Sequence, residues 1–253
     1  MSFYVSFGVR KTMVPAPKFS PQEQEEMILN AAADCIWETS ILDFTMSAVS
    51  KAAGLSMGSI YKHVQCKEDI ILALGMRSFA CLAGVFEQVL SLDITTPEKI
   101  VGIGLLSKEK TQVYPFDSQL MAMATNEAVI KRASPYWTER LVRSSESCEA
   151  MFNKWMHKAA FSGELILNGN TEAHIQEFCL GTWALTVGFD EVQTMKQIQQ
   201  VSDGQDTLKQ APALDSPMIK NLHRLINTYD WQQPLTNEGI VTVSERLIEL
   251  NLR

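Results

Sequence analysis

TMSAVSKAAGLSMGSIYKHVQCK, residues 45–67, contains two short helical patterns on either side of Gly54-Leu55-Ser56. It carries Lys51, Lys62, Lys67 and His63 and no Asp or Glu, in a chain of formal net charge −7. Phosphate would be repelled by the whole chain and attracted by this segment. Two helices joined by a short glycine turn have the geometry that places a second helix in a DNA major groove. Thr45 is positioned to cap the first helix, whose inward face reads as Ala48, Val49 and Ala52. Gly54 supplies a left-handed turn residue, Leu55 plugs the junction, Ser56 caps the second helix, and small Ala52 and Ala53 permit close approach. The second helix then offers Met57, Gly58, Ser59, Lys62 and His63 to base edges, while Tyr61 and Lys67 suit phosphate oxygens. Thr45, Lys51 and Ser56 complete the candidate DNA-binding set.

Working outward, ILNAA (28–32), Thr45, AAGLSMGSIYKHV (52–64) and CKEDIILAL (66–74) stand in one order and spacing. Over Ile28 to Leu74 the chain resembles the N-terminal domain of TetR-family transcriptional regulators. The resemblance implies backbone contacts for Thr45, Ser56, Tyr61, His63 and Lys67, and base-reading positions for Met57, Gly58, Ser59 and Lys62. It also implies a helical ligand-binding domain that dimerises. Three residues depart from the family pattern: Ser40 replaces a usual glycine, Ser50 a common alanine and Val64 a common phenylalanine.

The length of 253 residues, 46% of them hydrophobic and 20% charged, suits one or two packed domains and not a disordered chain. Residues 1–67 hold six basic and six acidic side chains, so the residues after them carry the whole net charge of −7. An acidic body behind a locally basic segment discourages indiscriminate adhesion to nucleic acid. Five widely spaced cysteines without a CxxC pair suggest neither disulfides nor zinc, and no cofactor or metal is expected. The absence of a signal-like N-terminus and of an apolar run near the roughly 20 residues of a span points to the cytoplasm.

Hydroxyl-proline pairs at Ser20-Pro21, Thr96-Pro97, Ser134-Pro135 and Ser216-Pro217 mark helix starts, with Ser20 and Glu23 spaced as a capping box. The chain reads as all-α: an arm at 1–19, a helix-turn-helix domain at 20–67 and a larger helical ligand-binding and dimerisation domain at 68–253. Helices are expected at about 21–38, 45–53, 57–63, 67–91, 97–111, 117–132, 135–161, 172–198, 217–229 and 237–250, with a surface loop at 199–215.

Residues 178–189, FCLGTWALTVGF, form an uncharged run inside a helix, buried on more than one side by expectation. Gly181, Ala184 and Gly188 are assigned to a dimer face, and Cys179, Trp183 and Thr186 to a ligand cavity on the opposite side. Phe86, Met121, Phe152 and Trp155 add adaptable apolar surface, and Asn126 a polar group to orient a ligand. The partners expected are a pseudo-palindromic double-stranded operator, a second copy of the chain and a small, mainly apolar effector, without a membrane. Two alternatives remain at this level. Cys66, beside Lys62 and Lys67, would serve a redox-sensing regulator if its thiol were acidified. A helical enzyme is the other, although VGIGLLSKEK (101–110) lacks phosphate-loop spacing and the four histidines are scattered.

Overall fold

The computed structural model describes residues 19–199 and 211–253, the side chains of 197–199 excepted. The expected N-terminal arm and most of the expected 199–215 loop lie outside the described residues. Two compact units are present, one ending at His63 and the other starting at Val64.

The first unit contains α1 (Pro21–Glu38), α2 (Met46–Ala53) and α3 (Met57–Ile60). Ser20 and Glu23 form the reciprocal capping box, with Ser20 Oγ accepting from Glu23 N at 3.2 Å and the Glu23 carboxylate accepting from Ser20 N at 2.7 Å. At the end of α1 the Thr39 N–H and hydroxyl both donate to the Cys35 carbonyl. Ser40 then closes the turn by accepting from the N–H groups of Leu42 and Asp43 and donating to the Asp43 carboxylate at 2.7 Å. A serine thus serves where glycine is usual, by satisfying the backbone that a glycine would leave to water.

The inward face of α2 is Val49, Ser50 and Ala53, whereas Ala48 and Ala52 are exposed, so the helix is rotated from the expected phase. Burying Ser50 is tolerable because its hydroxyl donates to the Leu55 carbonyl at 2.7 Å. Regular α3 ends at Ile60, short of the expected 57–63. Its last turn tightens, with Lys62 N bonding Ser59 O and His63 N bonding Ile60 O.

The second unit is a helical bundle. In order it holds α4 (Lys67–Leu90), α5 (Thr96–Gly104), α6 (Lys108–Thr111), α7 (Asp117–Ala124), α8 (Glu127–Ile130) and α9 (Pro135–Phe161). There follow β1 (Leu165–Ile166), α10 (Thr171–Gln199), α11 (Pro217–Ile226), β2 (Asp230–Trp231) and α12 (Asn237–Glu249). The strands pair antiparallel with Leu165 opposite Trp231, a short tie that the helical reading did not include.

Two expected helices are each divided. The 97–111 segment starts earlier, capped by Thr95 with Glu98, because the Thr96 N–H and hydroxyl are taken by Glu164. It breaks after Gly104, where Ser107 N donates to Leu252 O at 2.9 Å. The 117–132 segment breaks at Thr125, and Asn126 caps a new turn.

Helix α4 is long and apolar enough to cross a membrane by length and composition, with a mean hydropathy of 1.7, contrary to the expectation that no such segment exists. Half of that window is buried within the fold, where α4 packs on α5, α7 and α9 as a core helix. Beyond it, Val101 of α5 and Leu105 at its C-cap share a core with Phe178, Leu222, Val243 and Leu247. A Cβ on Gly104 would lie 2.6 Å from Leu222 Cδ2, so glycine there permits the close approach of α5 and α11.

Candidate nucleic-acid interface

The helix-turn-helix is built by its caps. Thr45 Oγ1 accepts from Ala48 N at 3.1 Å, and Ser56 Oγ accepts from Ser59 N at 3.2 Å. Between them Gly54 takes φ 64° and ψ 25°, the left-handed conformation that reverses the chain at no side-chain cost. As acceptors, both cap hydroxyls satisfy helix N–H groups; Thr45 retains a proton that can be donated to a phosphate oxygen, and Ser56 Oγ shares a hydrogen bond with Ser59 Oγ at 3.1 Å.

Ile60 is fully buried and fixes the rotation of α3, so Gly58, Tyr61 and Lys62 face solvent. Met57 and Ser59 are half-buried at the margin of that face. Tyr61 is 50% exposed, and Lys51, Thr45 and Ser56 are also exposed. His63 is half-buried, with Nε2 3.4 Å from Gln24 Oε1 of α1, so its ring orientation is tied to the first helix. Nine of the ten candidate DNA residues thus lie in the first unit, and Lys67 opens α4 in the second.

A polar clasp secures the start of the second unit. The carboxylate of Asp69 is fully buried and accepts from Gln65 N at 2.7 Å and Ser134 N at 2.6 Å. Glu68 pairs with Arg132 at 3.0 Å, and the Cys66 thiol donates to the Arg132 carbonyl. This surrounding corrects the redox reading. Burial, foremost, pushes the Cys66 thiol up to about 11, and the Asp69 and Glu68 charges add to it against a bond from the Asp69 backbone. A neutral thiol is a poor nucleophile, so the expected acidification by neighbouring lysines does not occur.

The expected ligand residues are spread over α4, α7, α9, α10 and the cap of α8. Phe86 and Phe152 pack edge to face at 5.5 Å. Trp155 lies between the ammonium groups of Lys99 and Lys158 and donates toward Glu87. Met121 is half-buried in α7. Asn126 is exposed and uses its Oδ1 as the cap of α8, accepting from Ala128 N. Cys179 is half-buried against the core, and the Thr186 hydroxyl bonds back to carbonyls of its own helix.

The division of α10 also differs. Gly181 faces inward, where an added Cβ would meet Leu225 at 3.7 Å, while Trp183 is 62% exposed and lines no cavity. Ala184 and Gly188 are exposed, as are Leu180 and Val187, and together with Trp183 they make one outward stripe. The helical phase explains this: residues 180, 183, 184, 187 and 188 recur at three and four and share a face.

Sequence reasoning missed a shallow depression of about 480 Å³ lined by Met76 of α4 and Tyr136, Arg140, Arg143, Ser144 and Ser147 of α9. The signal was present as a polar series at helical spacing beside the Trp137–Leu141 face. Also missed was Asp69, whose partner Ser134 is distant in sequence. No group of three or more His, Cys, Asp or Glu side chains suited to a metal occurs among the described residues.

The family described as "Bacterial regulatory proteins, tetR family" matches residues 28–74 through the model of its N-terminal domain. No curated protein matches the chain significantly. Among solved structures, reduced NemR from E. coli is 15% identical with a TM-score of 0.51, covering 84% of this chain and all of NemR (100%). SmeT bound to triclosan is 13% identical with a TM-score of 0.50, covering 85% of this chain and 95% of SmeT. A separate SmeT structure is described as that of the repressor of the Stenotrophomonas maltophilia multidrug efflux pump SmeDEF. PfiT, described as a superantigen, is 16% identical with a TM-score of 0.51, covering 84% of this chain and 99% of PfiT. At these identities the likeness establishes the fold alone, and a fold does not name a function. What can be assigned is the matched segment, where capped helices and a left-handed glycine coincide: residues 28–74 are an N-terminal domain of the kind found in the tetR family of bacterial regulatory proteins.

Proposed function

We propose that this protein is a sequence-specific DNA-binding transcriptional regulator, acting as a homodimeric repressor in the cytoplasm and not as an enzyme. The observation that carries this reading is the exposed face of α3, capped and oriented by Thr45, Gly54, Ser56 and buried Ile60, in a segment free of acidic residues. Each subunit would place α3 in a major groove of a pseudo-palindromic operator, with Tyr61 and Lys67 on the backbone and Met57, Gly58, Ser59 and Lys62 at base edges.

Dimerisation is supported by the outward stripe of Leu180, Trp183 and Val187 with small Ala184 and Gly188 between them. A contiguous exposed apolar helix face of this kind is unusual on a monomer. A small molecule bound in the second unit would release the operator to the extent that it binds the released state more tightly than the DNA-bound state.

The test is a footprint of the protein on genomic DNA, followed by fluorescence anisotropy on the recovered sequence. Saturable binding with two protected half-sites about one helical turn or more apart is expected. Affinity no greater for the recovered sequence than for scrambled DNA would overturn the reading.

A further inference from the structure

The depression on α9 bears on the chemistry of the effector, an inference that rests on the regulator reading above. Its volume of about 480 Å³ falls in the small-molecule range. Tyr136, Arg140, Arg143, Ser144 and Ser147 line it from one face of α9, with Met76 of α4 as the apolar wall. Two arginines and three hydroxyl-bearing residues therefore line it, and no Asp or Glu does.

The two arginines differ in a useful way. Arg140 is held in place: its Cζ lies 4.4 Å from the Trp137 ring centroid and 5.2 Å from that of Tyr136, and it donates to the Tyr136 hydroxyl at 2.9 Å. Trp137 is itself buried, so this platform is rigid. The Arg143 guanidinium makes no ion pair or hydrogen bond among the described residues, although Glu139 and Glu146 lie within one turn on the same helix. In a chain of net charge −7, an arginine beside acids and unpaired, next to one already oriented, is a site prepared for an external anion.

We propose that this depression is the effector site and that it takes an amphiphilic organic anion, with a carboxylate or phosphate headgroup between Arg140 and Arg143. Ser144 supplies a further donor, and the apolar body of the ligand lies along Met76 and the Tyr136 ring. The N-cap of α9 is Ser134, whose N–H is held by buried Asp69, two residues after Lys67. Displacing the first turns of α9 acts on the segment that follows the helix-turn-helix in sequence.

The experiment titrates the full chain with decanoate, decyl phosphate, decanol and decylamine, read by tryptophan fluorescence and thermal denaturation. One or both anions should bind saturably, the two arms distinguishing carboxylate from phosphate, and decanol and decylamine should bind at least roughly ten-fold more weakly. Arg143→Ala should fold as the parent does and weaken the anion by roughly ten-fold, while Arg143→Lys restores part of the loss. Equal affinity for decanol, undiminished anion binding by Arg143→Ala, or no saturable binding of either anion up to about 1 mM would overturn the proposal. Anisotropy on operator DNA separates the two readings. A protein that binds DNA but no anion keeps the regulator function and loses this site. Anion binding that leaves DNA affinity unchanged overturns the effector role.

Discussion

Gly54 and Gly58 stand four residues apart and serve opposite ends. Gly54 occupies the left-handed region with φ 64°, and a Cβ there would touch nothing within 4 Å, so the penalty for a side chain is purely in the backbone. Gly54→Ala should lower stability by about 1 kcal/mol, measured by urea denaturation. At Gly58 a Cβ would meet only Ser56 Oγ at 3.9 Å, and no left-handed φ is involved. The fold does not require glycine at that position. Gly58→Ala should therefore leave stability unchanged or raise it by up to about 1 kcal/mol while weakening operator binding, because the added methyl stands on the face offered to DNA. Unimpaired binding by Gly58→Ala would remove that position from the interface. At Lys67, assigned to a phosphate, the expected change is in salt dependence. Lys67→Ala should reduce the slope of log K against log salt by about 0.9 if it neutralises one phosphate, measured by anisotropy across a salt series.

At the scale of elements, Asp69 illustrates why a helix can be legible while its attachment is not. The periodicity of Ile70, Ile71 and Leu74 marks α4 plainly, but nothing local shows that the Asp69 carboxylate reaches the N–H of Ser134. Asp69→Ala would leave the buried N–H of Ser134 and the part-buried N–H of Gln65 without their acceptor and should cost about 2 kcal/mol, read by equilibrium unfolding. For α10 the composition of the stripe was legible and its direction was not. An uncharged run fits a core helix, a cavity wall or a subunit interface equally well. Burial separates these uses, with Gly181 against Leu225 and Leu180, Trp183 and Val187 outward. Because those three are exposed in the single chain, Trp183→Glu should preserve the folded monomer while shifting light scattering from dimer to monomer. A dimer that survives Trp183→Glu and Leu180→Glu together would place the interface elsewhere.

For the molecule as a whole, four of the five cysteines are buried or half-buried, and Cys81 is exposed. Burial raises the thiols of Cys66 and Cys179 from 9.0 to about 11, and those of Cys35 and Cys148 are raised by the same cause. A group whose folded pKa lies above its unfolded value contributes stability that is complete below the unfolded pKa. That contribution fades as pH climbs through the folded pKa, so for Cys66 and Cys179 the window runs from about 9 to about 11. Alkylation of these two by iodoacetamide should accordingly be slow at neutral pH and accelerate above about pH 10. Rapid modification of Cys66 at pH 7 would reinstate the redox reading.

The N-terminal unit was readable residue by residue because its determinants are local. Ser20 with Glu23, Thr45 with Ala48, Gly54, and Ser56 with Ser59 all act within a turn of the chain, where propensity and capping decide the structure. Even there the phase of α2 was misjudged, since Ser50 could be buried only through a bond to Leu55 across the turn. In the second unit the long helices α4, α9 and α10 were visible in their periodicity and caps. The breaks after Gly104 and Ala124, the β1–β2 tie, and the choice of which faces fill the core were not. Each of those depends on partners distant in sequence: Leu252 for Ser107, Trp231 for Leu165, and Phe152 for Phe86. The paired arginines belong to the same class. Their spacing along α9 was in plain view, but only packing against Met76, with Trp137 buried beneath, makes them the walls of a site. Short-range hydrogen bonding and periodicity wrote the DNA-reading motif into the order of the residues. Long-range burial, which no local pattern encodes, settled what the rest of the chain offers to a ligand and to a second subunit.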